Sequence, residues 1–311
     1  MCTTTTIPVF FATDDNYAPF LGVAIKSMTE NLSKDSVCKI HVLTSGLSVF
    51  NRAALKRSVS GRSTVEFVDV SEQIKSIASR LHIRDYYTKA TYYRFFIADL
   101  FPEYDKALYL DCDIVVNGDI TELYNTDLGN KLVGAIQEEV MQKTNVFGAY
   151  VEKVLNIPRS VYFNAGILVM NLAEFRKRDV EGLFIDLLGK RRFDVTQDQD
   201  YLNVICYGST VPIGIEWNKT PFINPAFDHS RAPKLVHYKI NWKPWHYSGV
   251  MYEKLFWLYA DKTVYRRKIR KIFENYSSSQ KASDALAYKN LYLMAARQTL
   301  DATVTYCESK A

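Results

Sequence analysis

The chain has 311 residues, 48% hydrophobic and 23% charged, with only 13 Gly and 9 Pro. That is too apolar for a disordered chain and too poor in Gly and Pro for a fibrous one, and it is long enough to bury a large core without staples. A net charge of +5 does not call for nucleic acid as a partner. No stretch reaches the ~20 apolar residues of a membrane span. Five scattered cysteines form no CxxC and no zinc-ligand spacing, and the N-terminus lacks a signal-peptide core. The expectation is a soluble, cytoplasmic protein in a reducing compartment.

Apolar segments rich in β-branched and aromatic residues recur along the chain. IPVFFAT (7–13), KIHVLTS (39–45), TVEFVDV (64–70), KALYLDCD (106–113), KLVGAIQ (131–137) and the inside of YFNAGILVMNL (162–172) read as strands. Between the first two, Leu21, Ala24, Ile25, Met28 and Leu32 recur at helical spacing. Residues 48–60, 71–82 and 90–101 also read as helices. The βαβαβ alternation predicts an α/β domain with a mostly parallel central sheet, whose ligands bind beyond the carboxyl ends of the strands. After residue 250 the character changes: VYRRKIRK (264–271) is strongly basic and the last thirty residues read as helical. One boundary is therefore drawn, between 1–250 and a basic, helical extension, 251–311.

The strongest chemical signal is KALYLDCDIVV, in which a strand ends on two aspartates, Asp111 and Asp113. Carboxylates at i and i+2 can converge at a strand end and offer hard oxygen ligands to Mg²⁺ or Mn²⁺. The same residues fit a haloacid-dehalogenase-type phosphatase with Asp111 as nucleophile. That motif usually opens its domain, however, and here a full βαβαβ run precedes it. FFATDDNY (10–17) sets Asp14, Asp15, Asn16 and Tyr17 after the first strand, as ligand contacts or helix caps. FNAGILVMNL (163–172) ends one apolar strand and starts another, with Asn164 and Gly166 at the join, as a ligand approach or a bulge. TQDQDYLN opens a helix with Asp198, Gln199 and Asp200 in its first turn, where acids suit the dipole. LVHYKINWKPW places His237, one of five His, at the end of a short apolar run. An imidazole beside two carboxylates favours Mn²⁺. Lys243, held extended before Pro244, is a candidate fixed cation for a phosphate.

Taken in order, FFATDDNY, TYYRFFIADLF, LYLDCDIVV, DLGNKLVGA, YFNAGILVMNL, QDQDYLN and HYKINWKPW resemble the family 8 retaining glycosyltransferases, nearest to bacterial lipooligosaccharide galactosyl- and glucosyltransferases. The resemblance covers roughly residues 7–245 and implies a Rossmann-like GT-A fold, a UDP-galactose or UDP-glucose donor, a glycan or glycolipid acceptor, and Mn²⁺ with Mg²⁺ as the alternative. By this resemblance Asp111, Asp113 and His237 are metal ligands. Asp14 and Asn16, with Ala12 and Tyr17 nearby, hold uracil or ribose. Arg94, Asn164, Gly166, Asp198 and Gln199 lie at the donor sugar, Glu138 lies on the acceptor side, and Lys243 meets the diphosphate. Two positions depart from the pattern: Ile240 stands where Gly is usual, and Glu138 where Asp is usual. Ile240 also makes a catalytically idle nucleotide-sugar-binding protein a third reading.

A last expectation concerns residues 264–273. On a helix, Tyr265, Ile269, Ile272 and Phe273 share one face flanked by basic residues. That pattern suits either peripheral contact with anionic lipid or docking on the core.

Overall fold

The computed structural model describes residues 4–75, 77–81, 89–221 and 232–308; residues 76 and 82 of the expected helix 71–82 lie outside this set. The first half follows the predicted alternation. Strand β1 (Thr5–Ala12) is followed by α1 (Ala18–Glu30), β2 (Ser36–Thr44), α2 (Val49–Ser58), β3 (Thr64–Asp69) and the short α3 (Ser71–Lys75). A 3₁₀ helix (Lys89–Phe96) then runs into α4 (Ile97–Leu100), β4 (Lys106–Leu110), β5 (Ile114–Val116) and α5 (Ile120–Tyr124). Next come β6 (Val133–Gln137), α6 (Glu139–Lys143), α7 (Asn145–Lys153), β7 (Phe163–Asn171), α8 (Leu172–Lys177), α9 (Val180–Lys190) and α10 (Asp198–Ile205). The chain closes with β8 (Thr210–Pro212), β9 (Leu235–His237), α11 (Glu253–Ala260), α12 (Arg266–Asn275) and α13 (Ser278–Glu308).

Seven strands form one sheet in the order β3-β2-β1-β4-β7-β6-β8. All neighbours are parallel except β7, which runs antiparallel to both β4 and β6. Each face carries its own core. On β1, Phe10 joins one cluster with Tyr109 and Leu168, while Val9 and Phe11 join the other with Leu108 and Ile167. This period-2 division is why the strands read as unbroken apolar runs: both faces are covered by helices. The parallel β1 and β4 end at the same edge of the sheet, and the site is built there.

Two strand expectations change. The segment 106–113 leaves the sheet at Leu110, so Asp111 and Asp113 sit in the connection between β4 and β5. The two strands expected within 163–172 are one strand, β7. Its irregularity lies in the pairing with β6, where Ala135 pairs Leu168 but the next residue, Ile136, pairs Asn164. Ala165, Gly166 and Ile167 bulge out of that ladder.

The helices after residue 250 share the main cores. Phe256, Tyr259, Tyr265 and Ile269 are buried in the cluster that holds α1. The Tyr265 ring lies so close to α1 that a Cβ on Gly22 would stand 2.8 Å from it, and its hydroxyl bonds to Asn51 at 3.0 Å. The expected lipid-facing stripe of 264–273 is thereby corrected: Tyr265 and Ile269 pack on the protein, with Ile272 against the same cluster and the Phe273 ring against Trp257. Arg266, Arg267, Lys268, Arg270 and Lys271 point to solvent. No described helix is long and apolar enough to cross a membrane.

Candidate active site

Two clefts meet at the carboxyl edge of the sheet and share Thr91, Arg94, Asp111 and Asp113. The smaller, about 540 Å³, runs along the end of β1 past Ala12, Thr13, Asp14 and Tyr17. The larger, about 980 Å³, extends over β7 and the start of α10.

At the seam, three side chains from two distant segments converge. Ligand atoms of Asp111, Asp113 and His237 all lie within 4.8 Å of one another. His237 Nε2 is 3.2 Å from Asp113 Oδ1 and 3.7 Å from Asp111 Oδ2. Backbone bonds fix the arrangement: the Asp111 N–H donates to Gly166 O at 2.8 Å, and the Tyr238 N–H to Asp113 O at 2.8 Å. The pairing of β5 with β9 brings His237 opposite Ile114. Burial opposes ionisation of Asp113, but Lys243 and His237 more than offset it and hold its carboxyl well below the usual range. The set has the chemistry of a divalent-cation site, two hard oxygens and one imidazole. Gly166 supplies the space: a Cβ there would come within 2.5 Å of both Asp111 Oδ2 and His237 Cε1.

Behind the His stands a residue that sequence reasoning missed. Buried Asn218 places its Oδ1 3.0 Å from His237 Nδ1 and donates through Nδ2 to Asn164 Oδ1 at 2.9 Å. An Nδ1–H bonded to that oxygen leaves Nε2 free as a ligand. The network continues: Asn164 Nδ2 donates to Glu138 Oε2 at 2.9 Å and to Gln199 Oε1 at 3.1 Å. Gln199 Oε1 also accepts the Ala165 N–H at 2.9 Å. Because a backbone N–H only donates, the amide orientation of Gln199 is fixed.

Arg94 is the buried hinge of the two clefts. Its Nη2 is 3.2 Å from Asp111 Oδ1, its Nε is 3.2 Å from Asp198 Oδ2, and its Nη1 donates to Ala165 O. Thr91 donates to the other Asp198 oxygen. Burial nevertheless pushes the Asp198 carboxyl up to about 6, against the pull of Arg94. Glu138 caps α6 and is clamped by Lys239 Nζ at 2.5 Å from both oxygens; burial is outweighed by that ammonium, and its carboxyl titrates below the usual value. Lys243 is buried and paired with Asp113, so it is no solvated surface lysine.

The residues after β1 stand differently. Asp14 Oδ1 accepts the N–H groups of Asn16 and Tyr17 at 2.9 and 3.0 Å, forming the turn into α1. Asp15 bonds to Ser48 and Asn51. Asn16 is exposed and lies outside the lining of the smaller cleft. Thr91, Lys239 and Asn218 went unread because no local pattern marks them; each is recognised only by what it touches across the fold. Ile240 lines the larger cleft at φ 59°, a left-handed conformation that favours glycine.

The model of "Glycosyl transferase family 8" matches residues 8–249. General stress protein A of Bacillus subtilis is 28% identical over 256 residues, 75% of this chain and 85% of its own length. Lipopolysaccharide glucosyltransferase WaaO of Escherichia coli is 27% identical over 77% of this chain and 73% of its own. Among solved structures, the galactosyltransferase LgtC in complex with donor and acceptor sugar analogs superposes with a TM-score of 0.74 at 27% identity, covering 84% of this chain and all of LgtC. The family match spans every quoted motif, whereas the dehalogenase reading accounts for one of them, and in this structure Asp111 is tied to Arg94. The phosphatase and idle-protein readings are not favoured.

Proposed function

The chain belongs to glycosyl transferase family 8, and from that premise we propose that it transfers a hexose, galactose or glucose, from a UDP-sugar to a glycan or glycolipid acceptor with retention of anomeric configuration. The observation that carries the reading is the convergence of Asp111, Asp113 and His237 over the Gly166 gap. Those three side chains would hold Mn²⁺, or Mg²⁺ as the alternative, which supplies Lewis-acid stabilisation of the leaving diphosphate when bound. Lys243, already beside Asp113, adds a fixed cation for the same developing charge. Ala12, Asp14 and Tyr17 line the cleft for the nucleoside, and we keep Asn16 as a nearby contact.

The sugar falls to the larger cleft. Asp198 is bound through one oxygen to Thr91 and through the other to Arg94, so it is poorly placed to attack as a nucleophile. It suits gripping donor hydroxyls and spreading positive charge. Gln199 spends its amide oxygen on Asn164 Nδ2 and the Ala165 N–H, so it is a poor nucleophile, and its side chain acts through its dipole at the edge of the sugar cleft. We therefore favour approach of the acceptor hydroxyl on the leaving-group face, with a departing phosphate oxygen taking its proton, over a double displacement. Glu138, clamped by Lys239, marks the acceptor side. A role in lipopolysaccharide or other surface-glycan synthesis draws support from the name of WaaO. The buried, unpaired Cys38, Cys112 and Cys206 suit the reducing cytoplasm.

A panel of UDP-sugars with Mn²⁺, scored by UDP release, tests this directly. Turnover should vanish with EDTA and in Asp113→Ala, and the product anomer, read by NMR, should match the donor. Full activity in EDTA, or an inverted product, overturns it.

A further inference from the structure

Helix α13 lies wholly beyond the family-matched residues 8–249, yet it helps to build the larger cleft. Ala287, Tyr288 and Leu291, at helical spacing on one face, line that cleft. They join Val140, Met141 and Phe147 of α6 and α7. The cleft therefore has two unlike sides. Its floor is polar, with Glu138, Asn164, Asp198 and Gln199; its outer wall is apolar.

The wall is held in place at both ends. Asp284 Oδ2 accepts from the Tyr247 and Tyr276 hydroxyls at 2.7 and 2.8 Å, and the Asp284 carbonyl accepts from Asn241 Nδ2 at 2.6 Å. Tyr276 stacks on His246, ring centroids 3.8 Å apart and 6° from parallel. Asn241, His246 and Tyr247 belong to the segment that carries Lys239 and Lys243, and Tyr276 caps α12, so α13 is tied to the same loop as the charged floor. Further along, Ala295 and Thr299 are buried, and Gln298 donates to Asp194. Tyr288, by contrast, keeps 43% of its surface exposed, an open aromatic face at the mouth of the cleft.

We propose that α13 is the acceptor-selecting wall of this enzyme, and that it favours glycosides whose acceptor sugar carries an apolar substituent, with Tyr288 and Leu291 as specificity-determining residues. The inference rests on the transferase reading above. A sugar hydroxyl directed at the floor near Gln199 and Glu138 leaves the rest of the acceptor against Tyr288, Leu291, Met141 and Phe147. A bare sugar offers that surface only the C–H face of its ring. Partial burial of the three methylenes that a butyl chain adds to a methyl group yields about a tenfold preference.

The test uses the full chain with Mn²⁺ and whichever UDP-hexose it hydrolyses, with methyl and butyl β-glucosides and β-galactosides as probes. The butyl glycoside should show about tenfold lower KM than its methyl counterpart. Tyr288→Ala and Leu291→Ser should each raise the butyl KM severalfold toward the methyl value. They should leave kcat, acceptor-free UDP release and melting temperature within error. Leu293→Ala, on the exposed outer face of the helix, should leave both KM values, kcat, acceptor-free UDP release and melting temperature within error. Equal KM for the two probes in wild type, or variants that shift both probes alike, overturns the inference while acceptor-free UDP release still upholds the transferase reading. No UDP release from any UDP-sugar overturns both.

Discussion

The two clefts that meet at Asp111 are built on different principles. Along the end of β1, the charges are exposed or half-buried: Asp14 is bound by the N–H groups of Asn16 and Tyr17, and Asp15 by Ser48 and Asn51. Over β7 and α10, charges are buried and paired with opposite charges from across the fold, Arg94 with Asp111 and Asp198, Glu138 with Lys239. The first design tolerates loss of a partner because water replaces it. The second does not, since an unpaired buried charge costs several times more than a lost surface bond. The larger cleft is thus the rigid half and the smaller cleft the forgiving one.

The largest expected effect tests the rigid half. Arg94→Ala strands two carboxylates, one of them nearly fully buried, and should cost about 3–5 kcal/mol in urea unfolding of the metal-free protein. A cost near 1 kcal/mol would erase the contrast between the clefts.

Next comes pH. The Asp198 carboxyl would release its proton near 3.8 in the unfolded chain but near about 6 in the folded one. Between those values the folded state holds a proton that the unfolded state has lost. Stability from this group therefore falls as pH rises from about 4 to 6 and stays lower above. The loss amounts to at most about 3 kcal/mol. Asp113 and Glu138, with lowered values, act oppositely: their contribution is present above the ordinary carboxylate range and is lost as pH falls through their folded pKa. Asp198→Asn, measured in EDTA, should gain on wild type between pH 4 and pH 7 while transfer activity collapses. Parallel pH profiles for the two proteins would refute the desolvation of Asp198.

On the forgiving side, Asp14→Ala removes two hydrogen bonds of a half-exposed turn and should cost only about 1 kcal/mol. Its larger signature should be a raised KM for the UDP-sugar, with kcat held. A stability loss equal to that of Arg94→Ala would break the comparison from the other end.

The same difference explains what the sequence made legible. β1, β2 and β4 were readable because strands covered on both faces are largely apolar runs, and the edge strand β3 by its β-branched and aromatic residues. Asp14, Asp111 and Asp113 were readable because each follows such a run. β5, β8 and β9 have three residues each, too few for any period, and β5 and β9 are what bring His237 to the aspartates. Asn218, Thr91 and Lys239 act through partners 19, 107 and 101 residues away, and no window along the chain contains both ends. The apolar face of α12 was read correctly as a face, but a periodic pattern does not say whether protein or lipid covers it; Gly22, which admits the Tyr265 ring, decides for protein.

The smallest effect expected is at Ile240, and its size comes from cancellation. A β-branched residue at φ 59° sits in a region that costs roughly 1–2 kcal/mol for any residue with a Cβ. Ile240→Gly removes that strain. It also frees the unfolded chain, which offsets about 0.5–1 kcal/mol of the gain, and gives up a half-buried side chain worth about 1 kcal/mol. The net change in unfolding free energy should lie within about 1 kcal/mol of zero. Because Ile240 lines the larger cleft between Lys239 and Asn241, its removal should widen the mouth without disturbing the metal ligands, and Mn²⁺ affinity should stay as in wild type. A stabilisation beyond about 2 kcal/mol would mean that backbone strain at this loop outweighs everything the side chain contributes. A comparable loss would mean that Ile240 is a packing residue on which the rigid half depends, and its left-handed backbone a cost that the cleft tolerates to keep it there.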